Sequence, residues 1–249
     1  MSAKQWLKIP FAAALLIFSL SSQAQKAGEL GEGFDKQSDE EIALAEQHIR
    51  SLGFNYHDEP LHSQATAQGI LDKYKHLDPR HEVPTDLLEK AVLYFDAHRD
   101  KFTNQNYVTI VDFRHRSDTW RFYLVDMVSG AVQKFHTTHG IGSDRNRNGV
   151  AESFGNVPNS GKSSLGFARV AEVYSGKYGR SVRLDGLSTT TSNLRKRAVV
   201  VHGWDDVKED HVIQGLSWGC VTLDWKLKDG VIDKIANGSL LYLGQSQKK

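Results

Sequence analysis

Val199–Leu223 reads VVVHGWDDVKEDHVIQGLSWGCVTL and holds the chain's only cysteine. The run Ala198-Val199-Val200-Val201 is apolar and mostly β-branched, the pattern of a buried strand, and it ends on His202. A strand delivers a side chain to the end of a sheet, where it is held more rigidly than on a loop. Cys220 lies eighteen residues later, in Ser217-Trp218-Gly219-Cys220. A thiol with an ordinary pKa of ~8.5 is mostly protonated at neutral pH, so it needs a neighbouring imidazole to take its proton. Gly219 lets backbone approach a substrate closely. The amides of Gly219 and Cys220 are the expected donors to a developing oxyanion. Each residue alone has a plainer reading: a lone cysteine is commonly a small buried hydrophobe, and a lone histidine a core residue bonded to backbone. At this spacing the pair reads as chemistry, with Cys220 the nucleophile and His202 its base.

The pattern His202-Gly203 followed by Ser217-x-Gly219-Cys220-Val221-x-Leu223 resembles the signature of YkuD-like L,D-transpeptidases, most closely the branch described as the murein L,D-transpeptidase catalytic domain. Ile110-Val111-Asp112-Phe113, His139-Gly140, Ser164-Leu165-Gly166-Phe167, Arg183-Leu184-Asp185-Gly186-Leu187 and Arg197-Ala198 extend the resemblance over roughly residues 85–244. It implies a mostly β domain with peripheral helices (α+β), a sandwich or barrel. It also implies acyl transfer on peptidoglycan stem peptides without a cofactor, by attack after the third stem residue with release of D-alanine. By the same resemblance the Gly203 carbonyl orients the imidazole, Ser217 and Trp218 contact substrate, and His139 lines the cleft. Two positions depart from the common pattern: Trp218 stands where many members have histidine, and Thr222 where many have arginine.

The chain has 249 residues, enough for one catalytic domain and a smaller amino-terminal segment. A net charge of +1 gives no electrostatic case for nucleic acid or an anionic membrane. Residues 1–24 read as a secretory signal: Lys4 and Lys8 precede an apolar run from Ile9 to Leu20, and Ser22-Gln23-Ala24 is a small-x-small cleavage site. The run is short for a membrane span, which needs ~20 apolar residues. The expectation is therefore a periplasmic or secreted protein starting at Gln25, with no stable membrane anchor after cleavage. A lone thiol in an exported protein is a hazard unless it is protected or used.

Residues 25–84 read as a linker and a helical segment, and residues 85–249 as the catalytic domain. Ser38 and Glu41 form a capping box before Ile42, Leu44, Ala45, Ile49 and Leu52, with Gly53 as the stop. A second short helix is expected over Ser63–Tyr74, and a third from Pro84-Thr85 to about Asp100, with Leu87, Leu88, Ala91, Val92 and Phe95 on one face. Tyr107–Phe113, Trp120–Val128 and Ala131–Thr137 read as an antiparallel meander. Strands follow over Phe167–Tyr174, turning at Ser175-Gly176, and over Val182–Leu187. A helix capped by Asp229, with Gly238 at its end, precedes a last strand over Ser239–Leu243.

Residues 141–166 are rich in Gly, Ser and Asn and read as a loop walling the substrate site. His136 and His139 are three apart on a strand and point to opposite faces, and no zinc pattern accompanies them. The run from Asp144 to Gly149 lacks the ligands of a calcium loop, so no metal site is expected. Arg195, Lys196 and Arg197 form a basic run beside the catalytic strand; Arg197 is the residue assigned to a substrate carboxylate.

Three rival readings stand beside L,D-transpeptidation: an L,D-carboxypeptidase using water as acceptor, a sortase-like enzyme acting on proteins, and a non-catalytic wall-binding module. Sortases separate His and Cys more widely and carry a downstream arginine. A binding module would lack thiol reactivity.

Overall fold

The computed structural model describes residues 36–56 and 62–248. The expected signal, and the linker up to residue 35, lie outside the described residues. The capping box forms as expected: Ser38 Oγ accepts from the Glu41 amide at 3.2 Å, and the Ser38 amide donates to Glu41 Oε2 at 2.8 Å. It starts helix α1, Asp39–Ser51. Ser63 caps α2, Gln64–Lys73, and Pro84 precedes α3, Thr85–Ala97, which stops short of Asp100 and gives way to a 3₁₀ turn at Arg99–Lys101.

Ten strands follow: β1 Tyr107–Asp112, β2 Phe122–Asp126, β3 Val132–Phe135, β4 His139–Gly140, β5 Gly166–Gly176, β6 Gly179–Gly186, β7 Val200–Gly203, β8 Leu216–Ser217, β9 Val221–Leu223 and β10 Leu240–Gly244. Eight of them form one sheet, ordered β3-β2-β1-β10-β5-β6-β7-β9, which curls into a nearly closed barrel. The meander β1-β2-β3 is antiparallel, as its sequence predicts. The last strand, β10, enters the middle of the sheet, parallel to β1 and antiparallel to β5.

Period-two alternation explains the two cores. Ile110, Phe167, Leu240 and Tyr242 face α3, where Leu87, Ala91, Tyr94 and Phe95 meet them. Val111, Leu184, Val201, Leu241 and Leu243 face the other way, onto Val231, Ile232 and Ile235 of α4, Lys228–Ile235. Burying two faces of one sheet is what requires near-continuous apolar strands.

Two local expectations need correction. The β5–β6 hairpin turns at Lys177-Tyr178 and not at Ser175-Gly176: Gly176 pairs with Gly179, whose φ of +63° the tight turn requires. Helix α4 starts one residue before Asp229. At its far end Asn237 takes the left-handed position with φ +62°, ahead of Gly238.

Candidate active site

Strands β7 and β9 run parallel, with Val201 opposite Val221 and His202 opposite Thr222. Val201 and Val221 both point into the core. Alternation therefore sends His202 and Cys220 to the same opposite face, two positions apart along the strand direction, with Cys220 immediately before β9. There Cys220 packs with Val200, Val207, Tyr178 and Trp204.

His202 is fully buried, and its Nδ1 lies 2.8 Å from the carbonyl oxygen of Gly203. A carbonyl only accepts, so Nδ1 carries the proton and Nε2 presents its lone pair. The Tyr178 ring stacks on the imidazole at 4.6 Å, and Trp204 meets it edge-on at 6.3 Å. A backbone bond and two rings thus fix one tautomer and one ring plane. Gly203 has no room for a side chain: a Cβ there would lie 2.8 Å from the Trp225 ring.

Cys220 is 7% exposed, and its Sγ lies 3.7 Å from the Ala198 carbonyl. Burial pushes the thiol up to about 11, while a backbone hydrogen bond from Val200 and the charge of Arg197 pull the other way. A thiol held there is protonated at neutral pH, and any attack by it would need a base.

Ser217 is fully buried. Its Oγ donates to the Cys220 carbonyl at 2.9 Å and accepts the Gly219 amide at 3.1 Å. Two sequence expectations change here. Ser217 shapes the loop around the thiol and is closed off from substrate. The Gly219 amide is engaged inside the turn, which leaves the Cys220 amide as the expected oxyanion donor. Gly219 is needed for its shape, with φ +107° and a Cβ position only 2.5 Å from the Lys162 carbonyl oxygen.

Trp218 lines a cavity of about 230 Å³ with Cys220 and Arg197. Its indole Nε1–H is buried and has no partner among the described residues, an arrangement that costs about 1–3 kcal/mol unless a ligand supplies an acceptor. Arg197 departs from its expected role as a carboxylate binder. Its guanidinium donates to the Gly155 carbonyl at 3.0 Å, to Ser164 Oγ at 2.7 Å and to the Lys162 carbonyl, pinning the 155–164 loop beside Cys220.

His139 is fully buried, so the structure places it behind the cleft and not along it. Arg121 Nη2 donates to His139 Nδ1 at 2.8 Å, and Nε2–H then donates to Asp144 Oδ2 at 3.2 Å. Burial, with the Arg121 charge beside it, holds the imidazole down to about 2, so it stays neutral. Asp144 accepts the amides of Asn148 and Gly149 at 3.0 and 2.8 Å. These bonds brace the 141–149 loop against β4, which pairs in parallel with β8 just before Cys220. Sequence reading missed Arg121, Asp144 and Tyr178. Asp144 was the one with a signal, since Asp followed by Asn and Gly at short range is the pattern of side-chain-closed turns.

Thr222 is buried, and its hydroxyl pairs with that of Thr138 at 2.8 Å. A neutral pair therefore occupies the position where the resemblance has arginine. Among the described residues no group of His, Cys, Asp and Glu is arranged to hold a metal ion. A larger cavity of about 790 Å³, beside Pro84, Arg114 and Tyr123, is lined by none of the expected site residues. No helix among the described residues is long and apolar enough to cross a membrane.

Among solved structures the chain is similar to an L,D-transpeptidase from Mycobacterium smegmatis, with 14% identity, 55% of this chain and 58% of that one covered, and a TM-score of 0.36. It is also similar to residues 123–326 of an L,D-transpeptidase from Xylanimonas cellulosilytica, with 16% identity, coverage of 84% and 97%, and a TM-score of 0.34. A third is the helical cell shape determining protein Pgp2 from Campylobacter jejuni, with 12% identity, coverage of 59% and 50%, and a TM-score of 0.36. The chain thus spans little more than half the length of the mycobacterial relative. No curated protein matches it. The sequence profile of the L,D-transpeptidase catalytic domain matches residues 79–243, which takes in His202, the Ser217–Cys220 loop and every strand except the last residue of β10. On that match, spanning well over half its length, the chain belongs to the L,D-transpeptidase catalytic domain family.

Proposed function

We propose that the protein is an exported L,D-transpeptidase that cuts and rejoins peptidoglycan stem peptides through a thioester on Cys220. The observation that carries the reading is the shared face of His202 and Cys220 on the β7–β9 ladder, with the histidine proton held at Nδ1 by Gly203. Family membership supports the substrate class.

The buried thiol does not ionise ahead of the reaction. His202 Nε2 takes the Sγ proton as Sγ bonds to the substrate carbonyl carbon. The carbonyl oxygen gains the electron pair and accepts the Cys220 amide hydrogen bond. Collapse breaks the carbon–nitrogen bond, and the imidazolium gives its proton to the departing amine, which leaves as D-alanine. An acceptor amine then attacks the thioester, His202 takes its proton, and the thiol leaves protonated. Water in place of the amine makes the same cycle an L,D-carboxypeptidase.

Incubation of muropeptides with the purified protein, beside a Cys220→Ala variant, tests the reading by mass spectrometry. The expected result is loss of terminal D-alanine with dimers joined through third-position residues. Tripeptide without dimers assigns the carboxypeptidase cycle instead. No Cys220-dependent change refutes the acyl-transfer reading.

A further inference from the structure

The amino-terminal segment precedes the family-matched residues 79–243, yet it builds part of the thiol's cavity. Lys36, Gln37, Asp39 and Ile42 line the same space as Cys220 and Trp218. Lys196 lines it as well.

The segment is tied down at both ends. Gln37 Oε1 accepts from Arg195 Nη1 at 3.0 Å. Arg195 is itself held by Asp185 and by two bonds to Glu172 at 2.7 and 2.6 Å. The capping box turns the chain immediately after Gln37, so Lys36 and Gln37 leave the helix at the cavity. At the other end of α1, Ile49 and the following Phe54 enter the core beneath α3, and Lys101 Nζ donates to the Gly53 carbonyl at 2.7 Å. A helix fixed in this way presents a defined surface to the space beside the nucleophile.

The charge of that surface is one-sided. Lys36, Lys196 and Arg197 line the cavity against a single anion, Asp39. Arg197 is engaged by carbonyls and the Ser164 hydroxyl. Among the described residues, Lys36 and Lys196 are the exposed cations lining the cavity. Ile42 adds an apolar contact. Two exposed cations lining the cavity of an acyl-accepting thiol fit a peptide donor carrying a free carboxylate.

We infer that Lys36–Ile42 forms a substrate-binding wall of the Cys220 cavity, and that Lys36 together with Lys196 recognises a carboxylate on the peptide acyl donor. The inference rests on the reading of the site as one that takes stem peptides. Its test is a binding measurement that needs no turnover: calorimetric titration of the Cys220→Ala protein with a stem tetrapeptide and with its carboxyl-amidated counterpart. The titration is repeated with Lys36→Glu or Lys196→Glu added. The free acid should bind roughly tenfold more tightly than the amide, and either charge reversal should abolish that preference. Both lysines are exposed, so thermal unfolding should not move. Equal affinity for the two peptides, a preference that survives Lys36→Glu, or no binding of either peptide overturns the inference. Failure of the acyl-transfer reading shows up separately, as intact binding with no release of D-alanine by the protein that keeps Cys220.

Discussion

The cavity at Cys220 has two walls of different construction. One is the 141–164 loop, locked by buried polar chains: Arg121 to His139 to Asp144 to backbone amides, and Arg197 to the Gly155 and Lys162 carbonyls and the Ser164 hydroxyl. The other is the start of α1, which is fixed at its far end by the core and, among the described residues, meets the cavity through the hydrogen bond from Arg195 to Gln37. Buried charges and polar groups are costly to leave unpaired, so the first wall has one workable arrangement. The second is exposed and, at the cavity, lightly tied. The contrast assigns geometry to the loop wall and substrate choice to the helical wall.

The largest way to break that contrast is at Arg121, which is fully buried and donates to the Thr137 carbonyl at 2.7 Å and the His115 carbonyl at 3.1 Å as well as to His139. Arg121→Ala strands all three acceptors and should cost about 3 kcal/mol or more of stability, measured by urea unfolding, with activity falling in step. A stable, fully active Arg121→Ala protein would remove the loop wall's claim to rigidity.

His139 sharpens the same point through pH. Its folded pKa is depressed from 6.5 to about 2, so between those values the unfolded chain binds a proton that the fold refuses. Stability on this account is present above pH 6.5 and lost as pH falls below it, at up to about 1.4 kcal/mol per pH unit. A His139→Gln variant should show a shallower loss by one proton in unfolding titrations between pH 6.5 and 4.

Trp218 sits between the walls. Trp218→Phe keeps the ring and removes the buried, unpartnered Nε1–H. If that donor meets substrate, KM rises about five- to tenfold while the ligand-free protein keeps or gains stability, by up to about 1–3 kcal/mol, since no protein bond is lost and an unpaired buried donor is removed. An unchanged KM would leave the ring as packing alone. The smallest effect is expected at the lightly tied wall: Gln37→Ala should cost about 0.5–1 kcal/mol and raise KM modestly with kcat unaltered, because Arg195 keeps Glu172 and Asp185.

Local chemistry was readable in the sequence, and long-range contact was not. The Ser38–Glu41 capping box, the Pro84 start of α3 and the β1-β2-β3 meander are each decided within a few residues. The insertion of β10 between β1 and β5 depends on pairings more than seventy residues apart, and nothing in Leu240–Gly244 names its neighbours. The site divides in the same way. His202 and Cys220 could be singled out as a candidate pair because thiol chemistry limits which residues can stand together, and Gly203 by the resemblance, whereas the engagement of the Gly219 amide by Ser217 could not be read. Arg121 was not, since an arginine in a strand normally reads as solvated, and its burial is set by groups at positions 137 and 139. Tyr178 sits at a hairpin turn, where an aromatic has no local reason to be, and its contact with His202 exists only in the folded sheet.

The central claim is that Cys220 carries the acyl group after His202 has taken its proton, and peptide-mapped mass spectrometry of the protein trapped with a thiol-acylating β-lactam tests it most directly. The account predicts one adduct, on the peptide containing Cys220, absent in Cys220→Ala and formed at least a hundredfold more slowly in His202→Gln, in line with the usual contribution of a general base. An adduct elsewhere, or one formed at an unchanged rate without His202, would contradict it.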